Sequence, residues 1–164
     1  MKKGFTMIEL VFVIVILGIL ASLAVPKLAA TRDDAEAAKA AVEIKDAITQ
    51  LTTYYIVNGL YTDEAHNKDV TTLDKNKTGI YSKTIEEVLG RSGNKWTDCI
   101  TLTTSNGDKD KPANIKVAKK DNGTSSFCSA VRGTQAFKDW SKLTDGIQVG
   151  GSGIFKEGTT TTTN

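Results

Sequence analysis

The chain has 164 residues, 40% hydrophobic and 24% charged, with 21 basic and 19 acidic side chains for a net charge of +2. That near-balance offers no broad basic field, so no nucleic acid is expected as a partner. With one histidine and two cysteines, no Ser-His-Asp or Cys-His catalytic set has support, and the cysteines lack the spacing of a zinc site.

Apolar character is concentrated at the start. Leu10 to Val25 carries no charge, and Phe5 to Val25 is 21 residues long with one charge, Glu9. As an α-helix at 1.5 Å per residue this segment extends roughly 31 Å, enough to cross a bilayer. Lys2 and Lys3 precede it, which keeps the N-terminus cytoplasmic and sends the rest outward. A carboxylate in such a helix costs on the order of a few kcal/mol, so Glu9 calls for a partner and a purpose.

Three readings compete for this segment. One is a secretory signal peptide with Lys2 and Lys3 as its basic head and Ser22-Leu23-Ala24 as a small-x-small cleavage site. The second is a plain uncut membrane anchor. Neither gives Glu9 a task, nor explains a short basic peptide ending in Gly4. The third rests on Lys3-Gly4-Phe5-Thr6-Met7-Ile8-Glu9-Leu10, followed by apolar residues and Pro26. This stretch resembles the type IV pilin and pseudopilin family.

The resemblance implies a leader of residues 1–4, cut between Gly4 and Phe5 by a membrane-embedded prepilin peptidase, with methylation of the new amine on Phe5. It implies that Glu9 pairs with the N-terminal amine of a neighbouring subunit in a filament. The physics agrees: opposite charges in a low-dielectric bundle attract strongly and each is costly alone. An unpaired Glu9 would then make a membrane-stored monomer that gains by joining a filament. Loss of Lys2 and Lys3 takes 21 basic side chains to 19, equal to the 19 acidic ones. A neutral subunit does not repel its copies.

Beyond Pro26 the chain turns polar and alanine-rich as far as Asn58, a composition that favours helix. Ile44, Ile48, Leu51 and Tyr55 recur at helical spacing and define one apolar face. Asn58-Gly59 is a stop signal. One helix is therefore expected over 5–58, with 5–25 spanning the membrane or forming a filament core. Gly18, Ser22 and Pro26 lie on one side of it, and Pro26 removes a backbone donor. Gly18 to Pro26 is the weak stretch: a gentle kink in one reading, a segment that melts in the fibre in the other.

Residues 59–158 read as one small head. Thr84 to Leu89 before Gly90 suggests a short helix capped by Thr84 with Glu87 three residues on. Cys99–Thr103 and Ile115–Val117 alternate as strands, with turns at Ser105–Asp108 and Asp121–Gly123. Val131–Leu143 is helix or strand, with helix favoured. Ile147–Val149 and Gly153–Phe155 can close a small sheet. Residues 159–164 form a Thr-rich tail read as disordered.

Cys99 and Cys128 are expected to form one disulfide if the chain is exported. Asn106-x-Asp108-x-Asp110 opens like a calcium loop, but Lys111 and Val117 stand where that motif needs Gly and Glu, so no metal site is assigned. His66 reads as plain surface. Lys109, Lys111, Lys116, Lys119 and Lys120 read as a solvated hairpin face, with a DNA-contacting patch as the rival. Asn76-Lys77-Thr78 and Asn122-Gly123-Thr124 have the spelling of glycosylation sequons. Tyr54, Tyr55, Tyr61 and Tyr81 read as packing residues.

The expected fold is α+β and pilin-like: a long N-terminal helix, apolar in its first half, packed on a small antiparallel sheet domain. By resemblance the chain is a non-enzymatic subunit of a type IV pilus-like filament, with no cofactor. Its implied partners are its own copies, the inner membrane, the prepilin peptidase and the assembly machinery. The precursor would sit in the inner membrane and the product outside it. The alternatives are a pseudopilin of type II secretion, a DNA-uptake minor pilin, or a binding domain released by signal peptidase.

Overall fold

A computed structural model describes residues 4–73, 79, 81–108 and 111–150. Its first element, α1, runs from Met7 to Asn58, 52 residues or about 78 Å. It begins two residues later than the apolar pattern does, because Thr6 is the N-cap and Gly4, Phe5 and Thr6 stay outside the helix. The backbone remains helical through Pro26. The helix ends at Gly59, whose φ of 78° is left-handed and whose N–H donates to the Tyr55 carbonyl.

The head docks on the second half of α1. Ala37, Ala40, Ile44, Ala47, Ile48 and Leu51 are buried, and they recur every three or four residues. The alanines keep that stripe thin, which lets other helices approach closely. After α1 come β1 (Lys68–Asp69), α2 (Lys83–Gly90), a 3-10 turn (Trp96–Asp98), β2 (Ile100–Ser105) and β3 (Asn114–Lys119). Two further helices, α3 (Ser126–Gly133) and α4 (Gln135–Ser141), lead to β4 (Ile147–Gln148). The four strands form one antiparallel sheet in chain order.

The β2–β3 register sets Leu102 opposite Val117 and Thr104 opposite Ile115. This puts Ile100, Leu102, Thr104, Ile115 and Val117 on the buried face, while Lys116 and Ala118 look out. Ala113 and Val149 extend the core past β4, where the Val149 N–H donates to the Ala113 carbonyl at 2.7 Å. Trp96, fully buried, fills the floor of the head.

Several sequence expectations need correction. Helix α2 is capped by Ser82, whose hydroxyl accepts from the Ile85 N–H at 3.2 Å, and not by Thr84. Thr84 instead faces α1, where its hydroxyl bonds Asp46 and Gln50. A pattern argument sees only a local cap; here a helix 34 residues away competes for the hydroxyl. The segment 131–143 is helical as favoured, but it is two helices that start at Ser126 and break at Thr134, which caps α4. Cys99 precedes its strand. The two-residue β1 has no pattern of its own and exists because β2 offers it an edge. Ile154, Phe155, the Thr-rich tail, Asn76, Lys109 and Asp110 lie outside the described residues.

His66 is half-buried, not plain surface. Its Nδ1 accepts from the Asn106 N–H at 3.0 Å. The Asn106 side chain in turn clamps Tyr61 from both sides, donating to its carbonyl at 2.8 Å and accepting from its N–H at 2.5 Å. That use removes Asn106 from any cation loop. The four tyrosines pack as expected, with Tyr54 and Tyr81 stacked at 3.7 Å between ring centroids. The Tyr61 hydroxyl donates to the Leu51 carbonyl at 3.0 Å, and burial pushes its pKa well above the usual value.

A raised tyrosine pKa has a fixed consequence for alkaline stability. The unfolded chain ionises Tyr61 near pH 10, the folded chain only higher, so the unfolded state loses its proton first. The stabilisation is whole below about pH 10 and falls as pH rises toward the folded value. Thermal melts of the detergent-solubilised chain should therefore drop above about pH 10. Tyr61→Phe should drop less steeply, and equal slopes would contradict the assignment.

Candidate functional site

The site begins with a reciprocal cap at the head of the apolar rod. Glu9 Oε2 accepts from the Thr6 N–H at 2.8 Å and from the Thr6 hydroxyl at 2.7 Å, and Thr6 Oγ1 accepts from the Glu9 N–H at 3.4 Å. This is a capping box, built from a Thr and a Glu three residues apart ahead of an apolar run. Glu9 is therefore not without hydrogen-bond partners in the isolated subunit, as its isolation in sequence suggested. Among the described residues it has no counter-charge, because Thr6 offers dipoles and no cation. The signal was legible: Thr6-x-x-Glu9 spells the box.

Behind the cap the rod is bare. Every large apolar side chain from Phe5 to Leu28 is exposed, Phe5 at 84% and Ile8 at 77%. This is the one helix among the described residues that is long and apolar enough to cross a membrane. Ser22, the one hydroxyl inside the run, donates to the Ile19 carbonyl at 2.7 Å and so is satisfied within the helix. A Cβ added at Gly18 would meet nothing within 4 Å, so no packing inside the subunit requires glycine there.

The head is tied to the rod by charge as well as by its core. Arg91, just past α2, makes a two-pronged pair with Glu43 of α1 at 2.9 and 2.8 Å. Gln50 bridges α1 to α2, accepting from the Ser82 hydroxyl at 2.9 Å. Cys99 and Cys128 are bonded, with an S–S distance of 2.01 Å, and both are buried. The bridge links the start of β2 to α3.

Arg132 is a residue that pattern reasoning missed. Its guanidinium reaches three backbone carbonyls around the disulfide: Cys99 at 2.7 Å, Gly123 at 2.7 Å and Lys120 at 2.5 Å. The folded chain gathers these acceptors from distant positions, so no local motif announces them. Gly123 sits tightly against this cation. A Cβ there would lie 2.5 Å from Arg132 Nη2 and 2.8 Å from the Asp98 carbonyl oxygen. Gly123→Ala should cost about 1 to 3 kcal/mol by overpacking, read as a lower thermal midpoint of the full chain.

Among the described residues no group of three or more His, Cys, Asp or Glu side chains is placed to hold a metal ion. Among the described lysines of the hairpin, Lys111, Lys116 and Lys119 are exposed, while Lys120 donates to the Thr97 carbonyl at 3.0 Å.

A capped apolar rod, continued as an amphipathic helix under a disulfide-closed sheet, defines a pilin-like fold. The comparisons with known proteins agree. The family profile "Prokaryotic N-terminal methylation motif" matches residues 1–25. The chain is 43% identical over 60 residues to type II secretion system core protein G of Dickeya chrysanthemi, covering 37% of this chain and 39% of that protein. Protein G of Aeromonas hydrophila matches similarly, 43% over 60 residues, 42% of its length. The chain thus spans about two fifths of these relatives. Type IV major pilin protein PilE of Neisseria gonorrhoeae matches at 28% over 131 residues, 78% of this chain and 74% of the pilin. No solved structure matches. The chain is thus similar to the type IV pilins and pseudopilins, through the methylation motif over residues 1–25 and through relatives that are a major pilin and secretion core proteins.

Proposed function

We propose that this chain is the subunit of a type IV pilus-like filament. It inserts in the inner membrane as a precursor, is cut after Gly4 by a prepilin peptidase, is methylated on Phe5, and polymerises through α1. The observation that carries this reading is the exposed rod with Glu9 at its cap. Bare apolar surface demands either lipid or other copies, and a carboxylate bonded, among the described residues, to the dipoles of Thr6 still gains from a cation in a low-dielectric bundle. Gly4 and Phe5 lie outside α1, which keeps the scissile bond and the new amine clear of the helix. The neighbour's Phe5 amine supplies the cation. Gly18 to Pro26, with its helix-weakening residues, is the stretch that unwinds when copies pack.

The second reading is a pseudopilin of type II secretion, favoured by the protein G matches over the first part of the chain. The match to a major pilin across most of the chain supports a pilus. Intact mass of the protein from sheared fibres tests the reading. It should show a start at Phe5, one added methyl group and one disulfide. A start at Val25, or a free soluble species lacking the rod, would refute it.

A further inference from the structure

The chain has four tyrosines, and the fold brings them to one place, where the end of α1 meets the segment leading into α2. Tyr54 and Tyr55 stand on the last turns of α1, Tyr61 follows the Gly59 turn, and Tyr81 precedes Ser82, the cap of α2. The ring centroids are 3.7 Å apart for Tyr54 and Tyr81, 5.2 Å for Tyr55 and Tyr61, 6.3 Å for Tyr54 and Tyr61, and 6.4 Å for Tyr61 and Tyr81. The first pair differs from the rest. Its planes are 13° from parallel, so the rings lie face to face in van der Waals contact, with little offset. Neutral aromatic rings prefer an offset or edge-to-face arrangement. Here the surroundings impose the overlap: α1 carries one ring, and the hydroxyl of the other pairs with Thr62 Oγ1.

Reach separates the four further. Tyr54 and Tyr81 are half-buried, so each keeps an edge toward solvent. Tyr61 is 1% exposed, and its hydroxyl donates to the Leu51 carbonyl at 3.0 Å. A phenol that gives up an electron must also release its proton, and buried Tyr61 has no solvent to take it. Tyr55 is half-buried, but its ring neighbour is that sealed Tyr61, tilted by 44°. One pair alone is both in ring contact and within reach of an oxidant.

We propose that Tyr54 and Tyr81 form an oxidative coupling site, where a peroxide-charged haem peroxidase, acting as a one-electron oxidant, joins the two rings as an intramolecular dityrosine. Each phenol loses one electron and its hydroxyl proton. The two phenoxyl radicals, already in contact, form a carbon–carbon bond between ring carbons next to the hydroxyls. The hydrogen on each bonded carbon then moves to its oxygen, which restores both phenols. In sum two electrons and two protons leave the chain, and one hydrogen peroxide takes them up to become two waters. The new bond ties the last turns of α1 to the start of α2. It concerns the head alone and stands apart from the filament reading.

Treating the detergent-solubilised full chain with a haem peroxidase and hydrogen peroxide tests the site. The monomer should lose the mass of two hydrogens and gain dityrosine fluorescence, and peptide fragmentation should place the bond between Tyr54 and Tyr81. Tyr54→Phe and Tyr81→Phe should each lower the yield at least tenfold, while Tyr55→Phe and Tyr61→Phe keep it. In denaturant the same treatment should spread the cross-links over all four tyrosines. A monomer without dityrosine, a bond through Tyr55 or Tyr61, or cross-links only between molecules would overturn the proposal. So would a Tyr54–Tyr81 share that is the same in denaturant, because proximity in the fold would then play no part.

Discussion

Glu9→Ala should insert in the membrane normally, be cut after Gly4, and enter fibres at least tenfold less than the unmodified chain. On the proposed filament reading two roles are lost at once, the cap on α1 and the charge offered to a neighbour. Their magnitudes differ. Losing a helix cap costs about 1 kcal/mol at one helix end. Losing a charge pair in a dry bundle costs several kcal/mol per contact, and that cost recurs with every copy added. Two further variants separate them. Glu9→Gln keeps an acceptor for Thr6 but carries no charge, and should fail in assembly nearly as badly. Thr6→Ala breaks the box but keeps the carboxylate, and should assemble close to normally. Counting subunits in sheared fibres against the membrane pool reads both. Good fibres from Glu9→Gln would remove the charge role and leave only the cap.

The second large effect is expected at the disulfide. Replacing Cys99 and Cys128 by serine opens a loop of 29 residues' separation, which the chain-entropy model values at about 3.5 kcal/mol. For a head of this size that is a fall in thermal midpoint of roughly 15 °C or more. Arg132→Met should be comparably damaging, since the carbonyls of Cys99, Lys120 and Gly123 would lose a charged donor together. The double change should cost less than the sum of its parts, because the bridge and the cation hold the same loop. Strict additivity in thermal melts would mean that Arg132 serves some other part of the head. Fibre yield should follow head stability here, in contrast to Glu9, where the head stays intact and assembly alone suffers.

The contrast between these two sites shows where local reading works. The rod, its length, Glu9 inside it and the amphipathic second half were legible because helices are written in local periodicity and composition. The cysteines were legible as a pair because there are only two. The cap of α2 was misread because both Ser82 and Thr84 can cap, and only the docking of Asp46 and Gln50 against Thr84 chooses between them. His66 was misread because a polar neighbourhood in sequence says nothing of Asn106, 40 residues on.

By itself, then, the order of residues determined that this chain is a greasy rod with one acid near its tip, carrying a mixed α and β head. Each of these is a property of neighbours along the chain. Only the tertiary structure decided which groups hold the head closed and which surfaces remain bare. Arg132 among the carbonyls of Cys99, Lys120 and Gly123, and Asn106 clamping Tyr61, depend on contacts between residues 9 to 45 positions apart. Their energies come from burial and from geometry between segments, which no window of sequence contains.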